Sequence, residues 1–265
     1  MTVIVLGCAK GAPGVSTTAL ALAAAWPDAI RPLVVEADAG GGDALLRFGL
    51  PDSPGLVSLA AASRRAGLSA ALVREHAQVL PGGVEVVPGP AEAAQCAASL
   101  EALGPAWSET ESDGEVLIVD CGRLLAPVGA RTELLGAAQA LVLVTAGTVE
   151  SLAHTAEAAE RMRPRVACLV IAVVGACSWP SHEVQAALGA DGCLVLPHDA
   201  RSAALLCGRP APRRWWQPGS RHPLLDAARL LALDLRQRLP APLPDEGTPP
   251  WEDEPMASAR RGEPV

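Results

Sequence analysis

Seven short apolar runs separated by helix-length segments constrain this chain more than any other feature of its sequence. They lie at residues 3–7, 33–36, 84–87, 115–120, 140–145, 166–174 and 193–196. Several are continuous rather than alternating, the pattern of strands covered on both faces, and a parallel sheet with crossover helices provides that cover. Ala- and Leu-rich segments such as 16–25, 149–162 and 181–188 read as those helices. The expected fold is therefore α/β, a mostly parallel twisted sheet of about seven strands with helices on both faces. Neither repeat nor linker interrupts it before residue 240, so residues 1–239 are expected to form one domain. Residues 223–239 place Leu224, Ala228, Leu231 and Leu235 on one helical face and read as a docking helix that closes the core. Residues 240–265, with six acids, two arginines and many prolines, carry too little apolar surface to fold and are expected to form a disordered tail.

Composition adds exclusions. Half of the 265 residues are hydrophobic and the formal net charge is -8, which excludes a wholly disordered chain and gives no global argument for nucleic acid. The N-terminus lacks a basic segment ahead of its short apolar stretch, and the seven cysteines form no C-x-x-C pair. A cytoplasmic protein with reduced thiols is the expectation. His76, His154, His182, His198 and His222 are scattered without ligand spacing, and none is assigned to catalysis.

The first apolar run empties into Gly7-Cys8-Ala9-Lys10-Gly11-Ala12-Pro13-Gly14-Val15-Ser16-Thr17-Thr18, and an Ala/Leu helix follows. A Gly-rich turn feeding a helix N-terminus offers backbone N–H groups and the positive end of the helix dipole to an anion, and phosphate is the natural guest. A dinucleotide fold would need G-x-G-x-x-G, whereas the glycines here fall at 7, 11 and 14. The short-chain reductase variant would need a tyrosine and a second lysine. The chain has no tyrosine, and Lys10 is the only lysine among its 21 Lys and Arg residues.

Lys10 to Thr18 resembles the deviant Walker A loop of ParA/MinD-like ATPases, P-loop proteins of the SIMIBI class, in which K-G-G-x-G-K-S/T is followed by Thr and an Ala/Leu helix. Four later segments resemble the same family. Leu33 to Asp38 is similar to its D-x-D strand and switch, with Gly40-Gly41-Gly42-Asp43 expected as a flexible continuation; the plainer reading of Glu36 and Asp38 is an acidic strand end that caps a turn. Val116 to Asp120 is similar to its Walker B strand, 144–151 to the strand end and helix start that follow, and 194–201 to the loop beside the base. The resemblance implies ATP and Mg²⁺ as ligands. It implies Lys10 reaching across a homodimer and Asp38 positioning the attacking water as the catalytic pair. Gly11, Ala12, Pro13, Gly14, Val15, Ser16 and Thr17, with Pro197 and Asp199, would hold the nucleotide, and Ser16 and Asp120 the metal. A plainer reading makes Asp199 a helix cap. Within the family the overall flavour resembles the actinobacterial, pilus-assembly CpaE/TadZ branch.

Departures from the motif shape the functional reading. Val15 stands where the second lysine contacts the β- and γ-phosphates, Ala12 replaces a glycine, Glu36 replaces the first Asp of D-x-D, and the usual base-side Asn is missing. A charge-assisted hydrogen bond is worth about 1.5–3 kcal/mol, so its loss weakens binding roughly ten- to hundredfold. Hydrolysis is expected to be slow or absent unless an arginine substitutes, Arg123 being the candidate. The implied function is a nucleotide-dependent dimeric switch for positioning or assembly, in chromosome partitioning, division-site placement or pilus and secretion assembly, with an unidentified protein partner. A pseudo-ATPase scaffold is the alternative. Arg209, Arg213, Arg214, Trp215 and Trp216 form a basic aromatic segment that could touch DNA phosphates or a membrane surface, which would give the protein a peripheral place at membrane or nucleoid; packing of both Trp on the domain is the plainer reading.

Overall fold

A computed structural model describes residues 1–11, 13–27, 31–109, 114–124, 129–209 and 222–239. One sheet of eight strands runs through them: β1 (Thr2–Cys8), β2 (Leu33–Glu36), β3 (Gln78–Val79), β4 (Glu85–Val87), β5 (Val116–Arg123), β6 (Ala140–Ala146), β7 (Cys168–Val174) and β8 (Gly192–Leu196). Their order is β3-β4-β2-β5-β1-β6-β7-β8, parallel throughout except for the antiparallel pair β3·β4. The expected seven strands are all present. The eighth, β3, is a two-residue edge strand with no apolar run to announce it.

Ten helices accompany the sheet among the described residues: α1 (Val15–Ala24), α2 (Ala44–Phe48), α3 (Leu56–Ala66), α4 (Ala70–Glu75), α5 (Ala93–Leu103), α6 (Ala130–Ala137), α7 (Val149–Met162), α8 (Ser181–Ala187), α9 (Ala200–Leu206) and α10 (Pro223–Arg238). Alternate residues of each strand enter one of two cores. Val3 and Val5 of β1, Leu117 and Val119 of β5 and Leu141 and Leu143 of β6 face α3–α8. Ile4, Leu6, Ile118, Val142 and Val170 face α1, α9 and α10. Both faces are apolar because both are covered. Helix α10 docks through Leu224, Ala228, Leu231 and Leu235, all buried, as their spacing predicts.

The register places a functional edge. Glu36 pairs with Asp120 across β2·β5, and Cys8 with Arg123 across β1·β5 after a register shift between Leu6 and Cys8. The C-terminal ends of β1, β2 and β5 therefore meet where β1 turns into α1, and β1 is the strand whose connection leaves toward β2 while those of its neighbours β5 and β6 leave the opposite way. Ligands of open parallel sheets bind at such a point.

Candidate functional site

The loop from β1 to α1 needs its glycines. Gly11 and Gly14 have φ of +78° and +95°, where a side chain is strained, and a Cβ on Gly11 would meet nothing within 4 Å. Gly14 is the N-cap of α1, and no side chain caps the helix there; the first turn holds no acid either. The Thr18 hydroxyl donates to the Gly14 carbonyl at 2.9 Å and fastens the loop to the first turn. The backbone donors of α1 thus face the loop with no capping side chain and no acid in the helix's own first turn.

The side chains expected to surround an anion gather here. The Ser16 side chain lies beside Asp120, whose carboxyl burial pushes up while Ser16 and the Gly122 N–H, at 3.0 Å, pull it down. A hydroxyl, a carboxylate and open space suit a Mg²⁺ that keeps several waters and takes phosphate oxygens. No group of three or more His, Cys, Asp or Glu among the described residues could hold a metal alone, so such an ion would depend on the anion and water. Asp38 accepts from the Gly40 N–H at 2.8 Å and lies against Gly122, where a Cβ would meet its Oδ2 at 1.8 Å. Lys10 is exposed, with Nζ 3.3 Å from Nε2 of His154 on α7. Val15 is only 6% exposed and belongs to the core beneath α1. Its side chain adds nothing polar to the loop.

A cleft of about 330 Å³ continues from the loop. Pro13, Gly14 and Thr17 form one wall, and Pro197, Asp199 and Ala203 the other. Asp199 accepts from the N–H groups of Arg201 and Ser202, both at 3.1 Å, so it caps α9 and lines the cleft at once. Burial pushes its carboxyl up, but the hydroxyl and backbone donors of Ser202 and its neighbours outweigh that and hold it below the ordinary range.

Glu36 fills the plainer role of an acid that caps a turn, and extends it. It is buried, and its carboxylate accepts from the N–H groups of Asp43 (2.7 Å), Ala44 (3.1 Å) and Gly89 (3.0 Å). It therefore closes the N-terminus of α2 and ties it to the exit of β4. Burial raises its pKa despite those three donors. In place of the expected slack, Gly41 and Gly42 are packed against neighbours. A Cβ on Gly41 would meet the Ala91 carbonyl at 2.3 Å, and one on Gly42 would meet both Glu36 Oε2 and the Gly89 carbonyl at 2.4 Å. The glycines permit close packing, and the Gly42 N–H donates to Pro90 at 2.8 Å. Strand β5 also continues past Asp120 through Arg123, with Gly122 at φ +54°.

A second groove of about 480 Å³ opens between Leu45 and Leu46 of α2, Leu56 and Val57 of α3, and the segment 88–92. Ala12, Arg213, Arg214, Trp215, Trp216 and residues 240–265 lie outside the described residues. Among the described residues no helix is long and apolar enough to cross a membrane.

No family model matches the sequence, and no curated protein matches it either. Solved structures do match the fold. A ParA family ATPase from Chlorobium tepidum TLS aligns with a TM-score of 0.65 at 19% identity, over 88% of this chain and 97% of that one. The cell division ATPase MinD of Pyrococcus furiosus aligns with a TM-score of 0.65 at 19% identity, over 89% and 98% of the two chains. The septum site-determining protein MinD of Pyrococcus horikoshii, complexed with Mg-ADP, gives 0.65 at 18%, over 88% and 95%. The chain has the α/β fold of these ParA and MinD ATPases over most of its length.

Proposed function

We propose that the protein is a ParA/MinD-like, nucleotide-dependent dimeric switch that binds Mg-ATP at residues 10–18 and hydrolyses it weakly or not at all. The observation that carries the reading is the α1 N-terminus, glycine-lined and without a capping side chain, with the Ser16–Asp120 pair beneath it and a cleft of about 330 Å³ beside it. Backbone N–H groups and the helix dipole would hold the phosphates, and the cleft bounded by Pro197 and Asp199 would take the base. A Mg²⁺ at Ser16, with Asp120 fixing its water, would neutralise phosphate charge. Asp38, oriented by the Gly40 N–H and backed by Gly122, stands where it can hold a water. Lys10 rests on His154 at the rim and, exposed there, can leave it for a second subunit. A MinD protein of the same fold is complexed with Mg-ADP, which favours the same class of ligand here. The process served is one of positioning or assembly, such as chromosome partitioning, division-site placement or pilus assembly, with one domain over residues 1–239 doing the work in the cytoplasm.

Light scattering with and without Mg-ATP tests the switch. Wild type is expected to dimerise on addition of nucleotide and Lys10→Ala to stay monomeric; equal behaviour of the two overturns the reading. The burial of Val15 favours a second reading, a scaffold that keeps the fold for protein contacts and has given up hydrolysis. Hydrolysis that appears only in Val15→Lys supports the scaffold. Turnover by wild type that is lost in Asp38→Ala supports the switch.

A further inference from the structure

A polyphosphate at the α1 N-terminus would face Asp38 and Asp120, with Glu36 behind them, and an apolar Val15 where a cation is wanted. Among the cations close to this edge, three bear on the loop. Lys10 rests on His154 at the rim, and Arg123 lies at the end of β5 opposite Cys8. The third is Arg47 on α2, and its surroundings locate it. Its Nη1 is 3.7 Å from Sγ of Cys207, and that sulfur is 3.8 Å from Oγ1 of Thr17, a wall of the cleft. Its charge also reaches the Asp120 carboxylate. The guanidinium therefore lies one sulfur away from Thr17 and within electrostatic range of Asp120.

Arg47 is held there from behind. The N-terminus of α2 is closed by Glu36, and Nη2 of Arg47 pairs with the Asp43 carboxylate one turn earlier. That pair is half exposed, at 33% and 58%, so little is lost when it opens. A guanidinium has five donors, and the two contacts leave several for an incoming anion. We infer that Arg47 supplies, from α2, the phosphate-binding charge that the loop lacks at Val15. The assignment rests on the nucleotide reading above and names a phosphate-binding residue within it.

Calorimetric titration of the full chain with Mg-ATP, Mg-ADP and adenosine tests this. Arg47→Ala is expected to weaken Mg-ATP and Mg-ADP binding about tenfold or more and to leave adenosine binding unchanged, while Arg47→Lys retains most of the affinity. Asp43→Ala separates charge from scaffolding, because it breaks the same ion pair and frees the guanidinium; affinity equal to wild type or tighter is expected. The assignment is overturned if Arg47→Ala binds Mg-ATP within twofold of wild type, if Asp43→Ala is as damaging as Arg47→Ala, or if Arg123→Ala carries the loss instead. If wild type itself binds neither Mg-ATP nor Mg-ADP, the nucleotide reading fails, and this assignment with it.

Discussion

Two helix N-termini beside the same edge of the sheet are treated in opposite ways. At α2 the backbone donors of Asp43 and Ala44 are answered by the buried carboxylate of Glu36, which also takes the N–H of Gly89. At α1 the cap is Gly14, without a capping side chain, and no acid sits in the first turn. Both are places where N–H groups and a helix dipole favour negative charge. The chain caps one of them with a carboxylate from within and leaves the other without a capping side chain. The contrast separates a device that holds the fold together from one that awaits a ligand.

Glu36→Ala should produce the largest effect, because it leaves donors on three residues, two of them buried, without an acceptor. A loss of roughly 3–5 kcal/mol in denaturant-derived stability is expected, with Glu36→Gln well below that. A loss under about 1 kcal/mol for the alanine variant would mean that water answers these donors, and the contrast with α1 would dissolve. Filling the open terminus should act in the opposite direction. Mg-ATP at a hundred times its dissociation constant should add about 2.7 kcal/mol, seen as a rise in melting temperature. No rise at any concentration would break the comparison from the other side.

A third N-terminus sharpens it with the smallest effect. Asp199 caps α9 with its own side chain, so Asp199→Ala should cost about 1 kcal/mol at neutral pH, measured by chemical denaturation. Its carboxyl is held below the ordinary range, so the stability it contributes is present above the usual carboxylate pKa and is lost as pH falls through the depressed value. The gap between wild type and variant should therefore close on acidification. Glu36 titrates with the other sign. Its raised pKa favours folding most below the usual carboxylate pKa, and that advantage declines as pH rises through the raised value.

Much of this molecule could be read before its structure. Strands covered on both faces are written as apolar runs, so β1, β2 and β4 to β8 were visible, and the stripe Leu224, Ala228, Leu231 and Leu235 gave α10 its buried face. Strand β3 was not, because two residues paired antiparallel at an edge need no apolar signal. The loop with Lys10, Gly11 and Gly14 was legible because close backbone turns demand glycine, and Ser16 and Asp120 were legible by their likeness to a known arrangement. Glu36 was legible only as an acid at a strand end. Its partners lie 7, 8 and 53 residues away, and no local pattern encodes that convergence. The packing of Gly41 and Gly42 was hidden for the same reason, since a glycine run that provides slack and one that permits contact have identical sequences. Arg47 was equally silent, because what locates it is Cys207, 160 residues further on.

Glu36 also acts as a rivet between two walls. The groove of about 480 Å³ has α2 on one side and the segment 88–92 on another, and this one carboxylate grips Ala44 at the start of the first and Gly89 in the second. Cys96 of α5 adds a second fastening, with its thiol 3.0 Å from the Asp38 carbonyl. The width of the groove is thus set from the same strand end that carries Asp38. The candidate site and the groove thus share one anchorage, the end of β2 from which Glu36 and Asp38 both project.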